Sequence, residues 1–255
     1  MFKKIKAKLR SQLYESAAKY ALKKGINKRF MNFGYKGGSL DLKPEDISEQ
    51  LSFQLYNVIS AGVDIKGKSV LEIGCGRGGG CYFFTEYKQA HSVIAIDESK
   101  SNIELAQKLV GEKNSIYFVQ SAENMNLFSD SFEVIVNLES SHCYSSKGAF
   151  LKDVFKYLKP GGAFIYADIF VSANLQKVKD YLISLGFTIE TEQDISHGVL
   201  ESLKERPAEQ VSGFKKYMVP LFLDSFYGYE QSTIFKELTS EEKKYYSFIC
   251  RKQGK

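Results

Sequence analysis

The sequence contains no long apolar run. No segment approaches the roughly 18 uninterrupted apolar residues that a membrane-spanning helix requires, and the basic start is not followed by the apolar stretch of a signal peptide. Neither a transmembrane helix nor a secretory leader is therefore expected. The sequence predicts a cytoplasmic protein.

Cysteine is scarce, and its spacing is irregular. The four cysteines form neither a C-x-x-C pair nor the spacing of a zinc site: Cys75, Cys81, Cys143 and Cys250. Four thiols in 255 residues do not make the dense framework of a disulfide-stabilised domain. We expect reduced thiols and no bound metal.

Acidic residues are almost absent from the first 30 positions. Ten Lys or Arg against Glu15 alone give this segment a net charge of +9, which leaves −4 for the remainder of a chain whose total is +5. Phe2, Ile5 and Leu9 recur at helical spacing between lysines, which predicts a basic amphipathic helix. Such a helix covers a ligand site or makes peripheral contact with an anionic membrane. No base-reading motif favours nucleic acid as a partner.

Short apolar segments alternate with helical patterns from residue 69 onward. The length and the 44% apolar content suit one core. The predicted strands are Ser69–Ile73, Ser92–Ile96, Ile116–Gln120, Phe132–Val136, Ala163–Ala167, Thr188–Gln193 and Tyr245–Cys250. Helical segments between them, such as 102–110, 149–158 and 174–185, predict a doubly wound, Rossmann-like α/β fold with a mostly parallel sheet.

The strongest motif is a buried strand that leads into a glycine-rich turn. Residues 70–80 read V-L-E-I-G-C-G-R-G-G-G, and Gly74 and Gly76 allow the backbone to approach a ligand closely. Asp97 follows about twenty residues later, where a carboxylate accepts hydrogen bonds from ribose hydroxyls. Because these glycines with Gly79 also satisfy G-x-G-x-x-G, a nicotinamide dinucleotide site stays open at this point.

Four motifs together resemble the class I S-adenosylmethionine-dependent methyltransferases. They are Glu72 before the first glycine, Asp97 after the second strand, Ser121-Ala122-Glu123 after the third, and Lys159-Pro160-Gly161-Gly162 before the fifth. The resemblance implies a seven-stranded sheet with an antiparallel last strand. It also implies S-adenosyl-L-methionine as cofactor and S-adenosyl-L-homocysteine as product.

The same resemblance assigns roles to individual residues. It implies that Gly74 and Gly76 contact the methionine part of the cofactor, that Asp97 holds the ribose, and that Ala122 and Glu123 contact the adenine. We expect further cofactor contacts from Glu72 and Asn137. Tyr35 is expected to close over the cofactor and to reach its carboxylate through the phenol hydroxyl.

The segment after the fourth strand is more specific. Residues 139–144 read E-S-S-H-C-Y and follow the strand at the carboxyl edge of the sheet, where ligands bind in such folds. Similar segments occur in the phthiotriol dimycocerosate O-methyltransferases, which the chain also resembles at residues 31–35, 166–168 and 246–250. Sterol and sugar methyltransferases likewise place a histidine after this strand.

A hydroxyl becomes a good nucleophile only when its proton leaves. Histidine, with an ordinary pKa of about 6.5, accepts such a proton near neutral pH. We therefore predict that His142 is the general base. Asp168, at the end of the fifth strand, is predicted to orient its imidazole or to bind the acceptor hydroxyl.

These features predict one domain with helical additions. Residues 1–62 are expected to form a helical cap, 63–194 the cofactor-binding core, 195–239 a helical lid and 240–255 the final strand. The lid is predicted from large apolar residues too numerous for a solvated linker: Phe214, Tyr217, Met218, Leu221, Phe222, Phe226, Tyr227 and Tyr229. An apolar lid favours a small hydrophobic, polyketide-like or lipid-like acceptor.

The predicted reaction is methyl transfer to a hydroxyl of such an acceptor. Transfer to carbon or nitrogen, as in the sterol and amine branches, stays open because the abundant aromatic residues can stabilise a cation. A nicotinamide-dependent dehydrogenase is opposed by Glu72, by the Ala122-Glu123 pair and by the antiparallel last strand.

Overall fold

Seven β-strands form one sheet in a computed structural model of the chain, which describes residues 2–205, 228–230 and 232–254. The strands are β1 Ser69–Ile73, β2 Ser92–Asp97, β3 Ser115–Val119, β4 Phe132–Leu138, β5 Leu158–Val171, β6 Phe187–Asp194 and β7 Lys243–Lys252. They lie in the order β3-β2-β1-β4-β5-β7-β6. Only β7 runs antiparallel to its neighbours, β5 and β6. The predicted fold class is confirmed.

Helices flank this sheet. They are α1 Phe2–Lys24, α2 Gln50–Ile59, α3 Gly79–Glu86, α4 Lys100–Leu109, α5 Lys147–Tyr157, α6 Leu175–Ser184, α7 Ser196–Lys204 and α8 Thr233–Thr239, with 3-10 turns at 44–49, 141–143 and 172–174. Local sequence sets several starts, since Ser99 and Ser146 cap α4 and α5 by accepting hydrogen bonds from the amides of Asn102 and Ala149. The helices predicted at 102–110, 149–158 and 174–185 agree with α4, α5 and α6 within two residues at each end.

The centre of the sheet is buried on both faces. β1 and β4 pair in parallel, and each consists almost entirely of buried residues because helices cover both sides. Ile73, Ile135 and Ile165 are fully buried there. The carboxyl ends of β1, β2, β4 and β5 therefore meet along one rigid edge, and the loops that follow them are held close together.

Two details of the sequence prediction need correction. The motif Lys159–Gly162, expected before the fifth strand, lies inside β5, which begins at Leu158, and the β4–β5 register shifts beside it between Phe132 and Val134. The segment is thus an irregular strand start, with Gly161 at a φ of +75°. Within residues 1–62, where a helical cap is expected, residues 44–49 form a 3-10 turn, and α2 begins only at Gln50.

The N-terminal helix packs on the core. Ala17, Ala18 and Ala21 of α1 are buried, and the last two cluster with Leu105 of α4. Across the described residues, no helix is long and apolar enough to span a membrane. Apart from Tyr229, the aromatic and apolar residues on which the lid prediction rests lie in 206–227, outside the described residues. The four-part division of the chain stays a prediction.

Candidate active site

A cavity of about 1050 Å³ lies at the carboxyl edge of the sheet. Ligand pockets measure about 300–1,000 Å³, so this cavity lies at the upper end of that range. Residues 28–35, which we name the strap, form part of its wall through positions 28–33. The predicted site residues that line it are Gly74, Gly76, Asp97, Ala122, Glu123 and His142, whereas Tyr35, Glu72, Asn137 and Asp168 lie outside its lining.

The glycine-rich turn joins β1 to α3 at the floor of the cavity. Gly74 has a φ of +74°, which favours glycine, and its amide donates to the Ile96 carbonyl at 2.8 Å. This bond ties the turn to the end of β2. Gly80 has a different reason to be glycine, because a Cβ there would overlap the Glu72 carboxylate.

Glu72 lies beneath the turn. Its buried carboxylate accepts hydrogen bonds from the Tyr56 hydroxyl at 2.7 Å and from the Cys81 thiol at 3.0 Å. Burial raises the pKa of Glu72 to about 7. The side chain thus faces Tyr56 and Cys81 instead of the cavity, and it supports the turn from below.

Asp97 anchors the opposite side of the turn. Its carboxylate accepts from the Gly76 amide at 2.9 Å, from the Ser99 amide at 2.9 Å and from Asn102 Nδ2 at 3.3 Å. Burial raises the pKa of Asp97 above its ordinary value, although these bonds oppose the shift. Asn102 also lines the cavity, and its buried Oδ1 accepts no hydrogen bond from the described residues.

The loop after β3 closes the same end of the cavity. Ala122 is buried, and Glu123 accepts from the Ser145 hydroxyl at 2.8 Å and from the Ser146 amide. These bonds connect the loop after β3 to the segment that begins α5. Both predicted residues therefore lie on the cavity wall, with the Glu123 carboxylate already held in place.

His142 and Asp168 form a close pair. The His142 Nδ1 lies 2.7 Å from Asp168 Oδ1, and the His142 amide donates to Asp168 Oδ2 at 2.9 Å. The Ser141 hydroxyl and the Ile169 amide also donate to this fully buried carboxylate. The His142 side chain keeps 29% of its surface exposed, at the cavity. Asp168 thus fixes the ring from behind, which is the orienting contact predicted from sequence.

The contact between His142 and Asp168 shifts the pKa of both side chains. Burial by itself would lower the pKa of His142, but the charge of Asp168 and the adjacent Cys143 thiol outweigh it, and the pKa lies well above its ordinary value. Burial would raise the pKa of Asp168, yet His142 and the other donors bring it to about 2. Asp168 is therefore a carboxylate at any working pH.

Asn137 and Tyr35 hold neighbouring segments in place. Asn137 Nδ2 donates to the Ile73 carbonyl at 3.0 Å and to the Ser140 hydroxyl at 2.7 Å, which joins the ends of β1 and β4. The Tyr35 ring packs on Gly198 of α7, where a Cβ would overlap it. Neither side chain lines the cavity, so their positions do not support the direct ligand contacts predicted for them.

Sequence reasoning missed several residues at this site. Arg77 and Asn102 line the cavity and are buried, and Glu139 lines it beside His142. Glu15 of α1 accepts hydrogen bonds from the Ser99 and Ser101 hydroxyls at 2.7 and 2.6 Å, next to Asp97. Arg77 lies within the glycine motif and Glu139 within E-S-S-H-C-Y, so both belong to motifs that the sequence shows. Asn102 and Glu15 carry no such local signal.

Comparison with known proteins gives a consistent picture. Residues 70–162 match the family described as Methyltransferase domain. The probable phthiotriol/phenolphthiotriol dimycocerosates methyltransferase 2 of Mycobacterium ulcerans is 30% identical over 198 residues, which cover 76% of each chain. The fatty-acid O-methyltransferase of Mycolicibacterium smegmatis is 30% identical over 142 residues, 54% of this chain and 52% of that protein.

Solved structures show the fold. The crystal structure of the [4+2]-cyclase SpnF superposes with a TM-score of 0.72 at 15% identity, covering 96% of this chain and 95% of that one. Because a cyclase shares the architecture, the fold does not identify the reaction. Family membership rests instead on sequence. The chain belongs to the class I S-adenosylmethionine-dependent methyltransferases, in the group of the phthiotriol/phenolphthiotriol dimycocerosates methyltransferases, and uses S-adenosylmethionine as its methyl donor.

Proposed function

We propose that the chain is an O-methyltransferase that methylates an oxygen of a lipid-like acceptor, with His142 as general base. The observation that carries this proposal is the His142–Asp168 pair, whose ring is presented to the cavity from a fixed, buried carboxylate. The relatives in M. ulcerans and M. smegmatis, whose names refer to phthiotriol lipids and to fatty acids, support a lipid-like acceptor.

The residues at the glycine turn fit the methyl donor. Asp97 and Asn102 bring oxygen acceptors to the cavity, and Asn102 Oδ1 is buried without a donor from the described residues. Ribose hydroxyls are the donors that such a pair requires. Arg77, on the same wall, suits the carboxylate of the methionine part.

Each part of the donor is then assigned to a wall of the cavity. Gly74 and Gly76 contact the methionine part, Asp97 with Asn102 holds the ribose, and Ala122 with Glu123 borders the adenine. When bound, S-adenosylmethionine supplies an electrophilic methyl group on a sulfonium. Glu72 and Asn137 act indirectly, through the shape of the turn and of the β1–β4 edge.

The chain's own contribution to the reaction is alignment and proton removal. Asp168 accepts from His142 Nδ1, so Nε2 is the nitrogen that takes the acceptor proton. A general base contributes about 10² to 10⁴ in rate, and alignment in a fixed cavity contributes more. An alcohol needs this base, whereas a carboxylic acid is already ionised near pH 7 and does not.

That difference defines the experiment. The purified chain is incubated with methyl-labelled S-adenosylmethionine and either a long-chain secondary alcohol or hexadecanoic acid, and labelled lipid is counted. We expect His142→Ala to lose transfer to the alcohol while S-adenosylhomocysteine still binds in calorimetry. The exposed residue His91 gives a matched control, His91→Ala, which should keep full turnover. Unchanged alcohol methylation by His142→Ala would overturn the base assignment.

We also propose that the protein works in the cytoplasm against an anionic membrane. α1 docks through Ala17, Ala18 and Ala21, and Lys19, Lys23 and Lys24 remain exposed. Lys28 continues this basic surface onto the strap and lines the cavity. A helix with a basic exposed face is suited to anionic headgroups and would bring the cavity to a lipid acceptor.

Co-sedimentation with vesicles tests this. We expect binding to vesicles that contain phosphatidylserine at low salt, release at high salt, and weaker binding when Lys19, Lys23 and Lys24 are replaced by glutamine. Neutral phosphatidylcholine vesicles are the control. Equal sedimentation with both vesicle types would refute the electrostatic contact. The lid predicted at 195–239 also stays a proposal; Glu205 and Gly228, on either side of the undescribed part, line the cavity.

A further inference from the structure

Glu139 has an unusual backbone conformation. It follows β4 directly and has a φ of +48°, in the left-handed region that non-glycine residues seldom occupy. Its amide donates to the Ala167 carbonyl of β5 at 3.0 Å. Such conformations are unfavourable and persist where surrounding contacts fix them, often at functional sites.

The Glu139 side chain binds two distant parts of the chain. Its two carboxylate oxygens lie 2.9 and 3.1 Å from the Phe33 amide, which donates to them, and the Tyr245 hydroxyl donates to Oε1 at 2.7 Å. Phe33 belongs to the strap and Tyr245 to β7. Burial and the charge of Glu139 raise the pKa of Tyr245 well above its ordinary value, so Tyr245 remains a hydrogen-bond donor.

The strap is held on its other side as well. The Ser202 hydroxyl of α7 donates to the Phe33 carbonyl at 2.8 Å, so both polar groups of this residue's main chain are occupied. At its other end the strap meets the glycine turn. The Phe30 ring fills the space where a Cβ of Gly79 would stand, and Met31 Sδ would lie 3.4 Å from a Cβ at Gly76.

The strap thus touches the glycine turn at one end, while Glu139 fixes it beside the segment that carries His142. We infer that Glu139 is a positioning residue for methyl transfer: it holds the strap, which forms part of the cavity wall, in a fixed relation to the glycine turn and the base. This inference rests on the proposed function. His142, whose ring is presented to the cavity, remains the proposed base.

Amide hydrogen exchange tests the structural half of this inference in the full chain. In Glu139→Gln the Phe33 amide loses its charged acceptor, and we expect exchange across the strap to accelerate about tenfold or more. Tyr245→Phe, which keeps the carboxylate, should give a smaller acceleration. Glu192→Gln is the matched control, since Glu192 is an exposed β6 side chain paired with Lys179. Strap exchange equal to that of the control would overturn the inference.

Kinetics test the catalytic half. With the long-chain alcohol as probe, we expect Glu139→Gln to lower kcat about a hundredfold. The KM for S-adenosylmethionine should stay within about threefold of the parent value. The rise of kcat/KM with pH that reports deprotonation of His142, its pH limb, should also remain. Glu139→Asp keeps the charge on a shorter stem and should recover part of kcat. If Glu139 were purely structural, its substitution would lower the melting temperature without lowering kcat selectively over the KM for S-adenosylmethionine.

Two outcomes would contradict the inference. Full turnover in Glu139→Gln would show that the strap needs no such anchor, and loss of the pH limb would make Glu139 itself the base. If the parent chain methylates neither the alcohol nor the fatty acid, the proposed function fails. The exchange experiment then still decides whether Glu139 fixes the strap.

Discussion

The two halves of the cavity are built in different ways. The half assigned to the methyl donor consists of one strand–turn–helix unit and the loops beside it, and its bond from Gly76 to Asp97 spans 21 residues. The half beside His142, where we place the acceptor, joins segments that are far apart in sequence. The bond from Phe33 to Glu139 spans 106 residues, and that from Ser202 to Phe33 spans 169.

This difference predicts how each half responds to change. Substitutions in a local unit that binds a ligand through fixed polar groups should lower ligand affinity. Substitutions in a wall assembled from distant segments should disturb the alignment of the reactants and therefore lower kcat. The following predictions test that division, from the largest expected effect to the smallest.

Removal of the base should have the largest effect. His142→Ala is expected to lower kcat on the alcohol about 10²- to 10⁴-fold and to change the Kd of S-adenosylhomocysteine by less than about threefold, because the ring belongs to the acceptor half. Steady-state kinetics and calorimetry on one preparation check both values. A large loss of affinity would show that the two halves are not separable.

Removal of the ribose carboxylate should give the opposite pattern. Asp97→Ala deletes a charged acceptor, so we expect the Kd of S-adenosylhomocysteine to rise about 10- to 100-fold, while kcat at saturating donor falls much less. Glu104→Gln on α4, an exposed side chain paired with Lys100, is the control. Donor affinity equal to that of the control would remove Asp97 from the cofactor site.

The pH profile should distinguish Asp168 from a passive wall residue. Since Asp168 raises the pKa of His142 above its ordinary value of about 6.5, kcat/KM on the alcohol should rise with pH along a limb that lies above that value. Asp168→Asn removes the negative charge and should move this limb to lower pH. If kcat/KM rose over the same pH range in both proteins, the proposed effect of Asp168 on the pKa of His142 would be contradicted. The fatty acid should show no such limb.

The same pair has a stability consequence. Because the pKa of His142 is higher in the folded chain than in the unfolded one, its contribution is fully present below the unfolded value of about 6.5. It is lost as pH rises through the folded value. Urea unfolding of the parent chain and of Asp168→Asn across this range measures the difference, which should shrink as the pH increases.

The smallest effect is expected where α1 meets the donor half. Burial alone would raise the pKa of Glu15, but the hydrogen bonds from Ser101 and Ser99 together outweigh it and lower the pKa to about 2. The contribution of Glu15 to stability is therefore present above the ordinary value of 4.5 and lost as pH falls toward 2. Glu15→Gln should lower the free energy of unfolding by about 1 kcal/mol at pH 7. Urea unfolding beside Glu104→Gln tests this, and an identical loss in both variants would contradict it.

The same contrast explains what the sequence could predict. All seven strands and the glycine turn follow from short-range patterns, because a strand followed by a turn carries its geometry within a few residues. The E-S-S-H-C-Y segment predicts His142 as the base. Asp168 ends the neighbouring strand, and adjacent parallel strands end at one edge of the sheet.

What was missed depends on partners that no local pattern names. Nothing around Glu139 indicates that its carboxylate meets the amide of Phe33, and nothing around Glu15 indicates Ser99. Glu72 was expected to face the ligand because the resemblance places it beside the glycines. Its direction was set instead by Tyr56 and Cys81, which lie on neighbouring helices.

The buried position of Glu72 has a consequence for proton counting. A carboxyl with a pKa of about 7 is half-protonated at neutral pH, and it lies directly under the turn assigned to a cationic ligand. A nearby positive charge favours the ionised form. Binding of the sulfonium donor should therefore release a fraction of a proton to the solvent, whereas the uncharged sulfur of the product should not. The apparent binding enthalpy of the donor alone would then vary with the ionisation enthalpy of the buffer.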